Sequence, residues 1–366
     1  MSFFIVTIAI TAFLFTYIPT FQFAVPSRRS NELLHVSVII PARNEAENIG
    51  HLLSSITEQV HEIIVVDDHS TDNTSEVAKQ YGAVVIKPHS LPSGWLGKSW
   101  ACWNGAKQAT GDILIFLDAD TIIEKNGLCK MIDRFEKNNG FVFIHPFHKV
   151  KKVYEKLSAM FHFVTYASMG TFHLFQQWTK PKGGFGQCVI CSKKDYFAFG
   201  GHEAVKSEVV ENMAFAQHVL QQNGSLTCVG GKGAVSMRMY PNGLFDLING
   251  WKKSFASGAS ATHPLYLLVI SVWITGMTTF VFQFPFYMKE FPFALSIGYA
   301  LITLLLYRVF HTVGSFGFVS AFLFPIHIVF FVFVFLWSFV ETHLFKTISW
   351  KGRQIEVDTR KRKLFK

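Results

Sequence analysis

His35-Val36-Ser37-Val38-Ile39-Ile40-Pro41-Ala42-Arg43-Asn44-Glu45 decides the fold of this chain. Its first six residues form a short β-branched run that stops at Pro41 and gives way to a polar segment, as a buried strand feeding a loop would. Apolar residues then recur at Ile49, Leu52, Leu53 and Ile56, the spacing of one helix face, which predicts a helix over Asn44–Glu58. The alternation repeats. Glu62–Val66 reads as a strand, Thr71–Tyr81 as a helix with Ser70 or Thr71 as N-cap and Asp72 in its first turn. Ala83–Ile86 is a third strand, Lys98–Ala109 a helix and Asp112–Leu117 a fourth strand. Strands alternating with helices imply an α/β domain built on a parallel sheet with helices on its faces. Ligands of such sheets bind beyond the carboxyl ends of the strands. That rule selects three polar segments: Pro41–Glu45, Asp67–Asp68 and Asp118–Asp120.

Asp67 and Asp68 follow Ile63-Ile64-Val65-Val66. A carboxylate there can accept hydrogen bonds from a nucleobase N–H or from ribose hydroxyls; a solvated turn accounts for the pair equally well. Asp118-Ala119-Asp120 follows Ile113–Leu117, and alternate side chains of an extended segment share a side. Two carboxylates can there converge on one hard cation, Mg²⁺ or Mn²⁺, completed by substrate phosphates. D-x-D is common by chance, so this pattern gains weight only from its neighbours. In Gly94-Trp95-Leu96-Gly97-Lys98, Lys98 can reach a phosphate and Trp95 can cover a ring; otherwise the glycines simply make a loop before a helix.

Together, Pro41-Ala42-Arg43-Asn44-Glu45, Val66-Asp67-Asp68-His69-Ser70-Thr71-Asp72 and Leu117-Asp118-Ala119-Asp120 resemble glycosyltransferase family 2 in order and spacing. The resemblance implies a GT-A (Rossmann-like) nucleotide-sugar-binding domain and inversion at the anomeric carbon. It also implies that Asp67 and Asp68 contact the nucleoside, that Pro41, Arg43 and Glu45 line the same pocket, that Asp118 is near the ribose and that Asp120 is on the metal. Relatives often carry Glu-Asp at a helix start after a Gly-Gly turn. Here Gly200-Gly201-His202 precedes Glu208-Val209-Val210-Glu211-Asn212, so Asn212 replaces the usual Asp. Glu211 becomes the candidate base, with Glu208 and His202 in reserve and a solvated helix charge as the plain alternative. An acceptor carboxylic acid, ionised above a pKa near ~4, needs little base, and Glu211 would then position more than it deprotonates. Met237-Arg238-Met239-Tyr240 stands in place of the Q-x-x-R-W of polymer-making relatives. Arg238 remains a candidate phosphate contact, and single-sugar transfer is favoured over polymerisation.

Half of the residues are hydrophobic, 16% are aromatic, and 39 are Phe, more than a water-soluble domain of 366 residues needs. Asp, Glu, Lys and Arg are absent from Met1–Ser27, Ala261–Met288, Phe291–Tyr307 and Val309–Val340. A spanning helix takes about 20 apolar residues. The third run is at the short limit, and the last can span or fold back at Pro325. The first lacks the charged start and cleavage site of a signal peptide and reads as a retained helix. The net charge of +9 is explained by basic flanks such as Arg28, Arg29 and the tail Lys346–Lys366, which suit cytosolic membrane edges, with no nucleic-acid partner implied.

The expected layout is a transmembrane helix at 1–27, a cytosolic GT-A domain at 34–245, an interfacial segment at 246–262, membrane helices at 263–345 and a basic cytosolic tail at 346–366. A cytosolic tail demands that one C-terminal run not cross, and a re-entrant bend at Pro325 satisfies that. The aromatic stripe of Tyr154–Trp178 is placed at the bilayer interface, with a core helix as the alternative. Five scattered cysteines, including the Cys188-x-x-Cys191 pair, read as buried thiols rather than a zinc or redox site.

Ile40–Glu45, Ile49-Gly50-His51-Leu52-Leu53, Gly200-Gly201-His202 and Trp350-Lys351-Gly352-Arg353-Gln354 look like carotenoid- and lipid-acting membrane members of the family. This resemblance implies transfer of glucose from UDP-glucose onto the carboxylate of a C30 carotenoid acid at the cell membrane. The alternatives are a glycosyltransferase acting on a polyprenyl phosphate, diacylglycerol or other lipid, and a membrane sensor or transporter with a nucleotide-binding domain.

Overall fold

β1 (Leu33–Ala42), β2 (Val60–Asp67), β3 (Val84–Ile86) and β4 (Ile113–Leu117) lie side by side in the order β3-β2-β1-β4, all parallel. They belong to a computed structural model that describes residues 7–11, 18–25, 33–56, 60–138, 140–173, 181–184, 187–345, 347–350 and 353–356. β1 is flanked by β2 on one side and β4 on the other. Chain connections leave it in opposite directions and open a crevice at its carboxyl end, the switch point where α/β sheets bind ligands. The register sets Ala42 beside Asp67, so the polar segments after β1 and β2 meet. Alternation along the strands sorts side chains between two cores. Ile39, Val66, Leu114 and Phe116 enter one, and Val38, Ile40, Val65, Ile115 and Leu117 the other.

After β4 come β5 (Thr121–Ile123), β6 (Phe141–His145), β7 (Phe147–His148), β8 (Cys188–Ser192), β9 (Leu226–Gly230) and β10 (Val235–Met237). β8, β6 and β9 extend the large sheet beyond β4, and β8 runs antiparallel to both neighbours. The sheet is therefore mixed, which corrects the all-parallel expectation. β5, β10 and β7 form a separate small sheet beside the Asp118–Asp120 loop. Cys188 and Cys191 stand on opposite faces of β8, one in each core, and cannot converge on a metal or pair with each other.

The first two helices run over Ala46–Ser55 and Thr74–Gln80, the next over Gly97–Gln108. The second starts later than its Ser and Thr residues suggest, with Asn73 at the cap. Asn44 accepts the Thr71 N–H at 2.8 Å, and Asp72 accepts the Ala46 N–H at 3.1 Å, which caps the neighbouring helix. Side chains that bond across a loop in this way compete with helix initiation.

The aromatic stripe is core, not interface. Phe161, Phe163, Tyr166 and Phe172 are all buried; Phe175 and Trp178 lie outside the described residues. Phe161 stacks on Trp251 with ring centroids 4.8 Å apart, and Phe163 on Trp273 at 4.3 Å. The helix carrying them, Ala159–Ser168, is clamped between the sheet and the apolar C-terminal helices, so one hydrophobic core runs through both.

Three C-terminal helices are long and apolar enough to cross a membrane: Pro264–Tyr287, Pro292–Val313 and the segment Phe324–Glu341. Arg308 lies inside the second, exposed in its last turns, so a charge that interrupts the apolar run does not end the helix. The first two run out and back, and the return ends where Ser315 N–H donates to the His148 carbonyl at 2.9 Å. A short helix, Gly317–Phe322, then descends from that point to Tyr299, whose hydroxyl caps the Phe322 carbonyl. The helix Phe324–Phe345 starts at this depth, beside Phe280 and Tyr299, and climbs back to Lys252, which pairs with Glu341 at 2.8 Å. The two helices form a hairpin that turns just before Pro325. Most of the expected N-terminal span lies outside the described residues. Its segment Thr7–Thr11 packs on Gly276, where an added Cβ would fall 2.1 Å from the Thr7 hydroxyl, and Thr11 accepts the Trp273 indole N–H at 2.7 Å.

Candidate active site

Pro41, Ala42, Arg43, Glu45, Asp68, Lys98, Ala101, Asp118, Ala119 and Asp120 line one cavity of about 240 Å³ at the switch point. Of the residues singled out in the sequence, Asp67, Glu211 and Arg238 are not part of that lining. The two neighbouring aspartates have separate tasks. Asp67 accepts the Ser70 N–H at 2.8 Å and the Ser75 hydroxyl, with Lys87 at 3.5 Å. Burial works to raise its pKa, but these donors hold it below the ordinary carboxylate range. Asp67 thus braces the turn. Asp68 faces the cavity, buried, and among the described residues neither of its carboxylate oxygens receives a hydrogen bond. Arg43 donates to the Asp68 backbone carbonyl at 2.9 Å and stands 3.6 Å from the carboxylate.

Gly97 is the residue the sequence undersold. A Cβ there would lie 2.3 Å from Asp68 Oδ2, so only glycine lets the helix Gly97–Gln108 start against that carboxylate. The positive end of the helix then offsets the charge of Asp68. Trp95 does not cover the cavity. It packs on Trp100 at 4.9 Å and beneath Lys206, part of an aromatic cluster with Trp103.

Lys98, one residue into that helix, bonds Asp118 at 2.7 Å and Glu211 at 2.8 Å. Burial alone would lower its pKa, but the two carboxylates raise it well above the usual lysine value. Asp118 is pushed up to about 7, first by burial, with Lys98 opposing and Asp120 and Glu211 adding repulsion. Glu211 begins the helix Glu211–Gln221 and is nearly buried. Asn212 donates to it at 3.3 Å and contacts His202 Nε2 at 3.2 Å, while Tyr196 holds His202 Nδ1 at 2.9 Å. Burial lowers His202 to about 4, so this reserve base is a neutral brace behind Glu211. Glu208 is exposed. Arg238 follows Met237, which pairs with Thr121, but its guanidinium is bound to the buried Glu155 at 2.6 Å.

Among the described residues no three His, Cys, Asp or Glu side chains gather into a complete metal-ligand set. The acidic pair Asp118 and Asp120 nevertheless suits a hard cation, because Mg²⁺ takes only one or two carboxylates and draws its other ligands from substrate phosphates and water.

A mixed Rossmann-like sheet, an acidic pair after its fourth strand and an unsatisfied aspartate after its second define a GT-A glycosyltransferase. Residues 37–197 match the model of "Glycosyl transferase family 2". The 4,4'-diaponeurosporenoate glycosyltransferase of Staphylococcus aureus strain USA300 is 32% identical over 88% of each chain. The chain belongs to glycosyltransferase family 2 and is an enzyme. Two solved structures are similar to this chain in part. A mannosyltransferase from Pyrobaculum calidifontis, in complex with GDP-Man and Mn²⁺, covers 92% of this chain and 99% of its own, with 15% identity and a TM-score of 0.49. The glucosyl-3-phosphoglycerate synthase of Mycobacterium tuberculosis, in complex with Mn²⁺ and UDP, covers 67% and 88%, with 20% identity and a TM-score of 0.46.

Proposed function

We propose that the enzyme transfers one glucose from UDP-glucose, with inversion, to the carboxylate of a C30 carotenoid acid held in the cell membrane. The observation that carries the donor half is the Asp68 carboxylate, buried at the cavity wall without a hydrogen-bond donor among the described residues. Arg43 and the helix start balance the charge of Asp68 but fill none of its hydrogen-bond capacity; leaving buried acceptors unfilled is costly, and a nucleobase N–H or a ribose hydroxyl satisfies them. Asp67 supports the same contact by fixing the turn, and Pro41, Arg43 and Glu45 complete the wall. Likeness over 88% of both chains to a carotenoid-acid glycosyltransferase supports the acceptor half.

Asp120, with Asp118 beside it, would hold Mg²⁺ or Mn²⁺, which supplies charge to offset the departing diphosphate. An acceptor carboxylate oxygen attacks the anomeric carbon, the bond from that carbon to the diphosphate breaks, and a glycosyl ester forms on the opposite face. No proton has to move, since a carboxylic acid is ionised well above its pKa of ~4. Glu211 is suited to such a reaction: paired with Lys98 at 2.8 Å, it orients the lysine beside the cavity rather than waiting as a free base. Arg238, one residue past Met237 beside the same loop, is neutralised by Glu155 and would meet a donor phosphate only with its remaining N–H groups. The catalytic domain faces the cytosol: a re-entrant reading of the hairpin is supported by the return of Glu341 to Lys252 beside the sheet domain, and a sequence rich in Lys and Arg after that point favours the cytosolic side.

Incubating membranes that carry the enzyme with UDP-[¹⁴C]glucose and 4,4'-diaponeurosporenoic acid tests this. The expected product is a labelled pigment that loses its sugar in mild alkali. Label in an alkali-stable lipid instead would overturn the acceptor, and labelling from a different nucleotide-sugar would overturn the donor.

A further inference from the structure

Three buried histidines link the catalytic loop to the membrane block. Asp118 N–H donates to the Gln187 backbone carbonyl at 3.1 Å. The Gln187 side-chain oxygen accepts from His145 Nδ1 at 3.1 Å. His162 Nδ1 lies 2.9 Å from His145 Nε2, and His148 Nδ1 lies 2.7 Å from His162 Nε2. At the far end the His148 carbonyl accepts the Ser315 N–H at 2.9 Å, and Val150 N–H donates to the Ser315 hydroxyl at 2.8 Å. Ser315 sits in the turn that launches the hairpin. The path therefore runs unbroken from Asp118 to that turn.

Burial depresses all three imidazoles, His145 to about 3, His148 to about 4 and His162 well below its ordinary value, so each is neutral and carries one N–H. With the Gln187 oxygen accepting, His145 must be protonated on Nδ1, His162 on Nδ1 and His148 on Nδ1. One direction of donation is thereby fixed along the whole row. Apolar side chains of similar shape would pack here without any such row, so hydrophobic filling does not account for it. The nucleotide cleft does not use these residues: the ring row runs from the Gln187 side chain to His148 Nδ1 and orients both residues, whose main-chain bonds continue to Asp118 and to Ser315, two elements that the reaction must keep in register.

We propose that His145, His162 and His148 are positioning residues, forming a strut that sets the height of the Asp118–Asp120 loop against the Gly314–Phe316 turn of the membrane block. This rests on the membrane-acceptor reading. The donor is gripped by strand ends and the start of the helix Gly97–Gln108, whereas the acceptor arrives at a height fixed by the membrane helices. Transfer depends on the strut, and donor binding does not.

The test compares His148→Asn with His148→Leu and His162→Phe in vesicles, using UDP-[¹⁴C]glucose and 4,4'-diaponeurosporenoic acid, and scores transfer, donor KM and slow hydrolysis of the donor by water. Asn keeps a polar group at the Nδ1 position, while Leu and Phe sever the row. Because a misplacement on the order of 1 Å can cost a reaction about 100-fold, Leu and Phe should lower transfer at least about tenfold. Donor KM and hydrolysis should stay within about twofold, and Asn should transfer within about threefold of the wild type. The His148→Leu/His162→Phe pair should lose no more than either alone, because both cut one connection. Should His148→Leu fail to accumulate, Gln187→Met severs the other end with the same expectation. Leu performing as well as Asn, or hydrolysis falling in step with transfer, overturns the strut. A wild-type enzyme inert toward this acceptor would instead refute the proposed function.

Discussion

Gly97→Ala isolates the contact on which the proposed donor recognition depends. The new methyl would sit 2.3 Å from Asp68 Oδ2, and contacts under 3.0 Å are not tolerated, so the carboxylate must retreat by at least ~0.7 Å. Its backbone cannot yield easily. Asp68 N–H donates to the Ala42 carbonyl at 2.8 Å, and Arg43 holds the Asp68 carbonyl at 2.9 Å. The side chain must therefore rotate away from the cavity. A hydrogen bond to a charged group contributes about 1.5–3 kcal/mol, which corresponds to a loss of roughly 10- to 150-fold in donor affinity. Stability should change far less, because alanine is favoured over glycine in a helix by about 0.5–1 kcal/mol and offsets part of the clash. Binding of UDP-glucose to purified enzyme in nanodiscs, measured beside the thermal midpoint, separates the two effects. Asp68→Ala should show the same loss, and the double variant no more than either single one. If Gly97→Ala bound donor within twofold of the wild type, or if the double variant lost the product of the two effects, the assignment of Asp68 would fail.

Asp120→Ala should abolish turnover while leaving the amount of protein in the membrane unchanged; turnover that survives chelation as well as this substitution would remove Asp120 from the metal. Glu211→Gln should cost about 10- to 100-fold in kcat, short of the ~10⁴-fold upper reach of a lost general base; complete loss with both substrates still bound would make Glu211 a true base. Tyr299→Phe should leave the Phe322 carbonyl unsatisfied within the hairpin and destabilise the protein by about 1–3 kcal/mol, seen as a lower thermal midpoint in detergent.

The sequence carried the parallel half of the sheet, because burial on strands and helices repeats every two or 3.6 residues and is written locally. It also carried the three strand-end segments, and the structure gathers most of their residues in one cavity. It could not separate Asp67 from Asp68. The two are identical in type and adjacent, and only the loops decide which one turns inward to Ser70 and Ser75 and which faces the cavity. Nor could it show that Lys98 stands between Asp118 and Glu211, since the bridge joins residues up to 113 positions apart.

Composition misplaced the aromatic stripe for a related reason. Phenylalanine is equally at home in lipid and in a protein core, so Phe161 and Phe163 carry no mark of their surroundings until Trp251 and Trp273 cover them. Apolar length likewise announced the C-terminal helices, and Pro325 marked where the last run could fold back, yet neither named the group that closes the turn; the Tyr299 hydroxyl on the Phe322 carbonyl comes from another helix. What a residue does alone, through periodicity, charge and turn preference, was fixed by the order of amino acids. What it does in company, through close approach, ion pairing and the satisfaction of buried polar groups, was decided only when distant segments met.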